Sequence, residues 1–388
     1  MSRILIALAP IALATTAYAA PQGIDARSNS MGGAQVSSAD YRNAGFANPA
    51  LLTQRDEDDD WGLVLPTVSA RIGDPDDLVS SAEDFVDELD RIEAAGVATA
   101  PELLALGNQL LDLDNRTLVA DVGAGLAFAI PSDTFGFSFV VDSRLTARSF
   151  VDVDPNDLAA IAAGGGVLPD LNSNAVVTGA METNYGGSVA RAFDFFGRKL
   201  SVGVTPKIQR VETFNYRVAA DDFEEDEQQE DFDDPIFRSD DTDFNVDAGL
   251  LLEALPNVTI GLSGRNLVSR DIPSVTTLGE SFTYQVEPVA TIGASVDLGR
   301  LTLAADYDLT RTEPLDFAPG SQFIGGGAEI AFEWTQLRVG YRADIEDVVN
   351  DTFTFGIGLS PFDTLHIDIG GAYGDDTYGA FVQLGFTF

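Results

Sequence analysis

The chain has 388 residues, with 62 acidic and 22 basic side chains, a formal net charge of -40, one histidine and no cysteine. The lack of cysteine excludes a disulfide framework, a thiolate metal site and a redox motif, and an acid excess of this size excludes nucleic acid as a partner, since that binding rests on lysine and arginine neutralising phosphates. No Gly-x-Ser-x-Gly elbow, histidine pair or phosphate loop occurs, so no catalytic residue, metal site or cofactor is expected. Met1 to Ala20 carries Arg3, an apolar run from Ile4 to Ala14, and Ala17 and Ala19 flanking Tyr18, which reads as a secretory signal over residues 1–19. That run is too short to span a bilayer as a helix, and no later segment approaches the roughly 20 apolar residues such a helix needs. A membrane-crossing role is left to a β-barrel, the other structure that satisfies its own backbone hydrogen bonds in lipid.

Residues 20–60 are rich in small side chains and contain Ala26-Arg27-Ser28-Asn29-Ser30-Met31-Gly32-Gly33-Ala34, then Asp40, then Ala47-Asn48-Pro49-Ala50-Leu51. Gly32 and Gly33 allow positive φ and close backbone packing, while Pro49 fixes a turn and restricts Asn48. By itself the segment differs in kind from the alternating stretches that follow, and a mobile periplasmic tail is one reading of it.

From residue 61 onward, alternating apolar and polar segments recur with a period of two. About fourteen strands are predicted, starting near Trp61, Leu118, Thr134, Val176, Leu200, Phe244, Val258, Phe282, Leu301, Phe323, Leu337, Thr352, Leu365 and Tyr378. Every second connection is tight, at Pro131 to Asp133, Phe195 to Lys199, Leu255 to Asn257, Asp297 to Arg300, Glu333 to Gln336 and Pro361 to Asp363, and the others are mostly longer and polar. Short turns at one end and long loops at the other are the asymmetry of an outer-membrane barrel. The predicted fold is all-β, a transmembrane antiparallel β-barrel of about fourteen strands over residues 61–388, preceded by the segment 20–60 and with short helices in an outer loop.

One face of each strand suits lipid, as in Phe135, Phe137, Phe139 and Val141, or Phe353, Phe355, Ile357 and Leu359. The other face carries Asp121, Asp142, Arg144, Asp247, Arg265, Asp297, Asp306, Asp308, Glu329, Arg338, Arg342 and Asp368. Facing hydrocarbon, the basic ones would cost roughly 2–4 kcal/mol each, so all are assigned to the lumen. Trp61, Tyr307, Trp334 and Tyr373 near strand ends fit interfacial girdles. A soluble double-layer β protein would instead have to expose its charged face on every strand.

The inserts add detail. Within 74–115, Leu78, Ala82, Phe85, Val86, Leu89, Ile92, Leu103, Leu104, Leu110 and Leu111 recur at helical spacing and predict two amphipathic helices over the outer mouth. Asp157 to Leu171 reads as a second cover. The acidic outer loop 221–243 is read as a solvated surface; its carboxylates suit only weak binding of divalent cations, because an EF-hand glycine and terminal glutamate are missing. Pro206 and Pro288 are read as lying within strands and are the candidate wall openings, since proline removes a ladder hydrogen bond. His366 and Asp368 share the lumen face of their strand. In the last strand, 377–388, only Phe381 interrupts the polar face, and the strand is expected to close against the first near Trp61.

Arg27, Met31-Gly32-Gly33-Ala34, Asp40 and Asn48-Pro49-Ala50 resemble the N-terminal pattern of the FadL-type outer-membrane transporter superfamily, and more closely its conjugal transfer protein TraF-like branch. The resemblance implies that this segment is a plug, that outer-loop helices help form a groove for apolar ligands, and that a kinked strand opens the wall sideways. It implies a channel for small hydrophobic solutes or lipids in the outer membrane of a Gram-negative bacterium, reached after signal cleavage. The alternative is a non-transporting envelope component of conjugal transfer or another assembly system. Expected partners are outer-membrane lipid, the barrel assembly machinery, which reads a terminal aromatic such as Phe388, and a hydrophobic small-molecule ligand; a monomer is expected.

Overall fold

The computed structural model describes residues 23–55, 59–114, 116–163, 171–219, 234–362 and 364–388. The predicted signal, and the part of the acidic loop at 221–233, lie outside the described residues. Sixteen strands follow in chain order: β1 Gly62–Gly73, β2 Thr117–Ile130, β3 Phe135–Asp152, β4 Asn174–Phe195, β5 Arg198–Ala219, β6 Arg238–Leu255, β7 Val258–Arg265, β8 Arg270–Pro273, β9 Thr283–Val286, β10 Val289–Asp297, β11 Leu301–Asp308, β12 Phe323–Ala331, β13 Thr335–Asp344, β14 Thr352–Leu359, β15 Leu365–Gly374 and β16 Thr377–Thr387. All but β8 and β9 form one closed barrel, so its wall has fourteen strands. β1 pairs antiparallel with both β2 and β16, setting Gly62 opposite Thr387, and Trp61 stacks on Phe388 at 4.4 Å between ring centroids. Closure leaves no free edge, the condition for a sheet to survive in lipid.

The alternation in sequence becomes two surfaces. Phe135, Phe139, Phe353, Phe355 and Val382 are exposed outward, whereas Asp142, Asp306, Glu329, Arg338 and Arg342 are buried in the lumen. Phe381, the apolar residue on the polar face of β16, packs inside against Ala26 and Ala372. Its position is explained by what fills the barrel.

Strand length is uneven. β4 and β5 each run 22 residues, while β7, β11 and β14 have 8. Since about 9–11 residues cross a membrane, the wall from β3 to β6 rises well above the rest at the long-connection end. Two predicted boundaries shift for this reason. The strand expected to begin near Phe244 begins at Arg238, because Arg238 pairs with Glu212 at 3.0 Å, Arg210 with Asp240 at 3.4 Å and Arg270 with Asp241 at 2.7 Å, which lets Asp240, Asp241 and Asp243 join the ladder instead of the loop. The strand expected near Phe282 is divided into β9, which pairs with β8 as a separate hairpin, and β10, which enters the wall at Val289.

Three helices cover the same end: α1 Leu78–Ala95, α2 Ala100–Leu113 and α3 Pro155–Ala163. Asp74 accepts from the Leu78 and Val79 amides at the start of α1, and Gly96 ends it at φ +68. Glu102 accepts from the Thr99 amide at the start of α2. Leu78, Phe85, Val86, Leu106, Leu110 and Ile161 pack into one cluster, whereas Leu104 and Leu111 face solvent. Among the described residues, no helix is long and apolar enough to cross a membrane.

Candidate functional site

Residues 23–55 run through the lumen as short helical turns, Ala26–Asn29, Tyr41–Asn43 and Pro49–Thr53. Each turn starts on a side-chain oxygen that accepts a backbone amide: Asp25 from Ser28 at 2.8 Å, Asp40 from Arg42 at 2.9 Å and Asn48 from Ala50 at 3.0 Å. This gives Asp40 and Asn48 of the sequence pattern a local role as caps, with Pro49 at the first position of its turn and Ala50 fully buried. Met31 and Ala34 are fully buried against Ala304.

Gly32 and Gly33 sit at φ +70 and +86, and a Cβ on Gly32 would lie 2.3 Å from the Tyr341 carbonyl oxygen. The wall reciprocates. A Cβ on Gly340 would lie 2.3 Å from the Gly32 nitrogen, and one on Gly356 would lie 2.2 Å from Ser30 Oγ. These wall glycines form a socket for the Ser30–Gly33 turn. The sequence held the signal as glycines at inward parity, and it went unread because small residues are ordinary in barrel strands.

Charged contacts fix the plug. Arg27 meets Glu329 through two bonds, Nε to Oε2 at 2.9 Å and Nη2 to Oε1 at 3.0 Å, and also donates to the Ser38 carbonyl. Glu329 accepts from Arg338 Nε at 2.5 Å, and Arg338 donates to Asp368 at 2.5 Å. Asp306 accepts the Gln35 and Val36 amides at 2.7 and 2.9 Å, and Thr354 Oγ1 accepts the Gly32 amide at 2.9 Å. Within the plug, Arg42 donates twice to Asp40, both bonds at 2.8 Å. Burial opposes ionisation of Asp40, but the Arg42 guanidinium outweighs it and holds the carboxyl below the usual carboxylate range.

Above the plug lies a charged layer. Arg144 pairs with Asp142 at 2.9 Å, and Lys207 with Asp247 at 2.9 Å. Arg265, Asp306, Asp308 and Arg342 line a void of about 40 Å³, and the Arg342 guanidinium rests 3.5 Å from the Phe323 ring centroid. The long-connection mouth is apolar. The β8–β9 hairpin turns inward, setting Ile272, Tyr284 and Val286 against Leu315, Ala180 and Val211, and Asn215 holds it by donating to the Val275 and Glu280 carbonyls at 3.0 and 2.9 Å.

At the opposite, short-turn end, a chamber of about 590 Å³ remains between plug and wall, lined by polar and charged groups. His366 borders it, with Nδ1 at 3.0 Å from Ser360 Oγ and Nε2 at 3.0 Å from Thr387 Oγ1, while Asp368 is engaged by Arg338. Among the described residues, no group of three His, Asp or Glu side chains is placed to hold a metal ion.

The two prolines differ in place. Pro206 lies inside β5, paired with Val246 of β6, while on its other side the β4–β5 ladder skips Gly187 and Ser188. Pro288 is not within a strand: it precedes β10, at the junction where the inward hairpin rejoins the wall. A further irregularity had not been anticipated, a register shift between Val64 and Thr67 of β1 against both neighbours, spanning Pro66, which has no amide to donate.

A family model described as "F plasmid transfer operon, TraF, protein" matches residues 45–308, more than half of the chain. No curated protein matches. Among solved structures, the Ralstonia pickettii toluene transporter TbuX is similar with a TM-score of 0.59 at 13% identity, over 95% of this chain and 99% of that one. A Pseudomonas aeruginosa FadL homologue gives 0.56 at 13% over 96% and 99%, and the P. putida toluene transporter TodX gives 0.53 at 13% over 95% and 99%. At such identities the likeness is one of fold, and the fold is that of FadL-type outer-membrane barrels.

Proposed function

We propose a function for a chain that belongs to the family described as F plasmid transfer operon, TraF, protein: it is a plugged outer-membrane channel that passes small apolar solutes sideways through its wall. The observation that carries this reading is the layering of the lumen, apolar at the mouth around Ile272, Tyr284 and Leu315, charged in the middle, and closed by the plug below. An apolar solute partitions favourably into the first layer. It gains nothing from the second, where burying it would strip charged groups of their partners. The remaining exit is lateral, and the interrupted β4–β5 ladder at Pro206 is the gap proposed for it; because Pro206 lies level with Lys207, the solute reaches it along the β4–β5 wall at the margin of the charged layer.

Two of the structural neighbours carry the words toluene transporter in their names, which makes a small aromatic hydrocarbon the first solute to try. Uptake of labelled toluene by cells carrying the full chain should exceed that of cells without it, and Pro206→Ala, by restoring a ladder donor, should lower uptake with barrel assembly unchanged. Uptake equal to the empty control would end the transport reading. Equal uptake by Pro206→Ala would end the lateral exit alone.

The second reading is a non-transporting envelope component. It is favoured by one observation, that the large chamber in the lumen is polar and lies at the end remote from the apolar mouth. In either case the protein resides as a monomer in outer-membrane lipid, placed there by the barrel assembly machinery after cleavage near Ala19.

A further inference from the structure

We propose that the outer face of the wall, at the short-turn end of β4 and β5, binds the headgroup of an anionic phospholipid through Arg191 and Arg198. The proposal rests on the outer-membrane reading and not on solute passage. Side chains alternate along both strands. Lys199 turns into the lumen, where it donates to the Thr53 carbonyl, so Arg198 faces outward. Arg191 is exposed on the lipid-facing side between Val189 and Phe193. Its ladder partners there, Phe135 of β3 and Val202 of β5, are apolar. An arginine on this face is costly deep in hydrocarbon and tolerated near the interface. Arg191 lies four residues before Phe195, the last of β4, which puts it about 10 Å from the strand end at an ordinary strand rise and barrel tilt. Its guanidinium lies 5.3 Å from the ring centroid of Phe193, the next outward side chain toward the turn. The charge is thus aimed at the periplasmic interface, as a snorkelling arginine is.

Charge selects the ligand. Other exposed arginines are neutralised within the protein, Arg91 by Glu88, Arg210 by Glu212 and Arg311 by Glu313. Arg191 and Arg198 have no carboxylate partner among the described residues. The acidic side chains of the adjoining turns are engaged elsewhere: Asp133 lies 4.0 Å from Lys199, and Asp194 accepts the Gly197 amide. In a chain of formal net charge -40, two uncompensated outward cations on one stretch of wall call for an anion, and the guanidinium fork suits phosphate. The surroundings select its carrier. Phe193, Phe195, Val202 and Val204 are exposed beside the arginines; acyl chains gain from covering them and a free phosphate ion does not. At the turn, Phe196 is 90% exposed at φ +52, a left-handed conformation that bulky residues rarely adopt, and its ring meets Phe195 edge-on at 4.7 Å. Such a ring finds its partners in the headgroup layer. A zwitterionic headgroup brings its own ammonium to the phosphate, so an anionic one answers the two arginines better.

Lipids with brominated acyl chains quench a neighbouring indole, so a tryptophan on this wall reports which lipid sits beside it. Leu200 lies opposite Phe193, between the rows of Arg191 and Arg198, and Leu200→Trp in the full chain is the reporter. Leu337→Trp, an outward position of β13 paired with Ile330 and Ile357, is the control. After subtraction of the native Trp61 and Trp334 signal measured in the unsubstituted chain, brominated phosphatidylglycerol should be preferred over brominated phosphatidylcholine about fivefold at Leu200→Trp. No preference is expected at Leu337→Trp, since the chain as a whole repels anions. Arg191→Gln with Arg198→Gln should bring the preference to unity, Arg191→Lys should keep most of it, and salt at about 1 M should weaken it by screening. The salt arm needs no arginine variant, so it decides even where the double variant does not assemble. No preference at Leu200→Trp, an equal one at Leu337→Trp, or one indifferent to salt and to the glutamines would overturn the proposal and leave the membrane placement standing. Absence of quenching by either lipid at both positions would overturn both.

Discussion

Arg27 is the side chain on which plug and wall meet, because it reaches both carboxylate oxygens of Glu329 while Arg338 shares one of them. Removing one member of a buried ion pair costs about 3–5 kcal/mol when the other is left uncompensated; here Glu329 keeps Arg338, and Arg27 has 16% side-chain exposure, so the loss falls below that range. Arg27→Ala should therefore raise amide exchange across residues 23–55 and leave the exchange of the wall strands unchanged. Asp40 adds a pH dependence to the same segment. Its folded carboxyl titrates below the ordinary value near 4, because Arg42 outweighs the cost of burial. Such a group contributes stability that is fully present above its unfolded value and is lost as pH falls through the folded one. Plug protection measured by exchange should stay level from about pH 8 to 5 and fall below about pH 4, and Asp40→Asn should be weaker at neutral pH with a shallower acid limb. Arg27 and Asp40 were legible in the sequence only through the resemblance of their pattern to the N-terminal segment of FadL-type barrels. Their partners at 302 residues' separation, in the case of Glu329, left no mark there, since parity places a carboxylate in the lumen without saying what it faces.

Whole elements were more legible than contacts. Thirteen of the predicted strand starts match wall strands to within a few residues or, at Phe244, lie inside one, because lipid and lumen impose opposite chemistry on alternate positions and the period of two survives any loop. Where that contrast is lost, the reading slipped: β9 alternates as a wall strand does, yet its apolar face meets the lumen cluster around Leu315 instead of lipid, and the sequence cannot distinguish the two apolar environments. The helices were visible from their spacing, but not the exposure of Leu104 and Leu111, which share the period of the buried set without sharing its face. The cap they build is held by its own small core. Leu110, 1% exposed, should cost about 2–5 kcal/mol when cut to alanine, and that loss should appear as faster exchange in α1 and α2 with the barrel's heat-modified gel mobility unaltered. If the barrel itself loosened, the cap would be part of the wall's cooperative unit.

At the scale of the molecule, the lumen is closed three times over by unlike means: an apolar hairpin at the mouth, ion pairs in the middle and a ligated plug below. The wall itself owes little to these fillings, since its strands satisfy their backbone hydrogen bonds around a full circuit. Removing one filling should then leave a folded barrel that still blocks ions, because the others remain. Deletion of residues 23–55 alone, assayed in planar bilayers, is expected to give small or intermittent conductance, as the β8–β9 hairpin anchored by Asn215 still covers the charged layer. Deleting residues 23–55 and shortening 270–286 together should give steady ohmic conductance, cation-preferring because the whole chain is strongly acidic. Steady conductance from the single plug deletion would mean that the mouth hairpin does not seal, and an apolar solute arriving there would not be driven to the wall at Pro206. Absence of conductance from the double deletion would mean that the charged layer alone closes the barrel, which would strengthen the case for a lateral route by leaving no axial one.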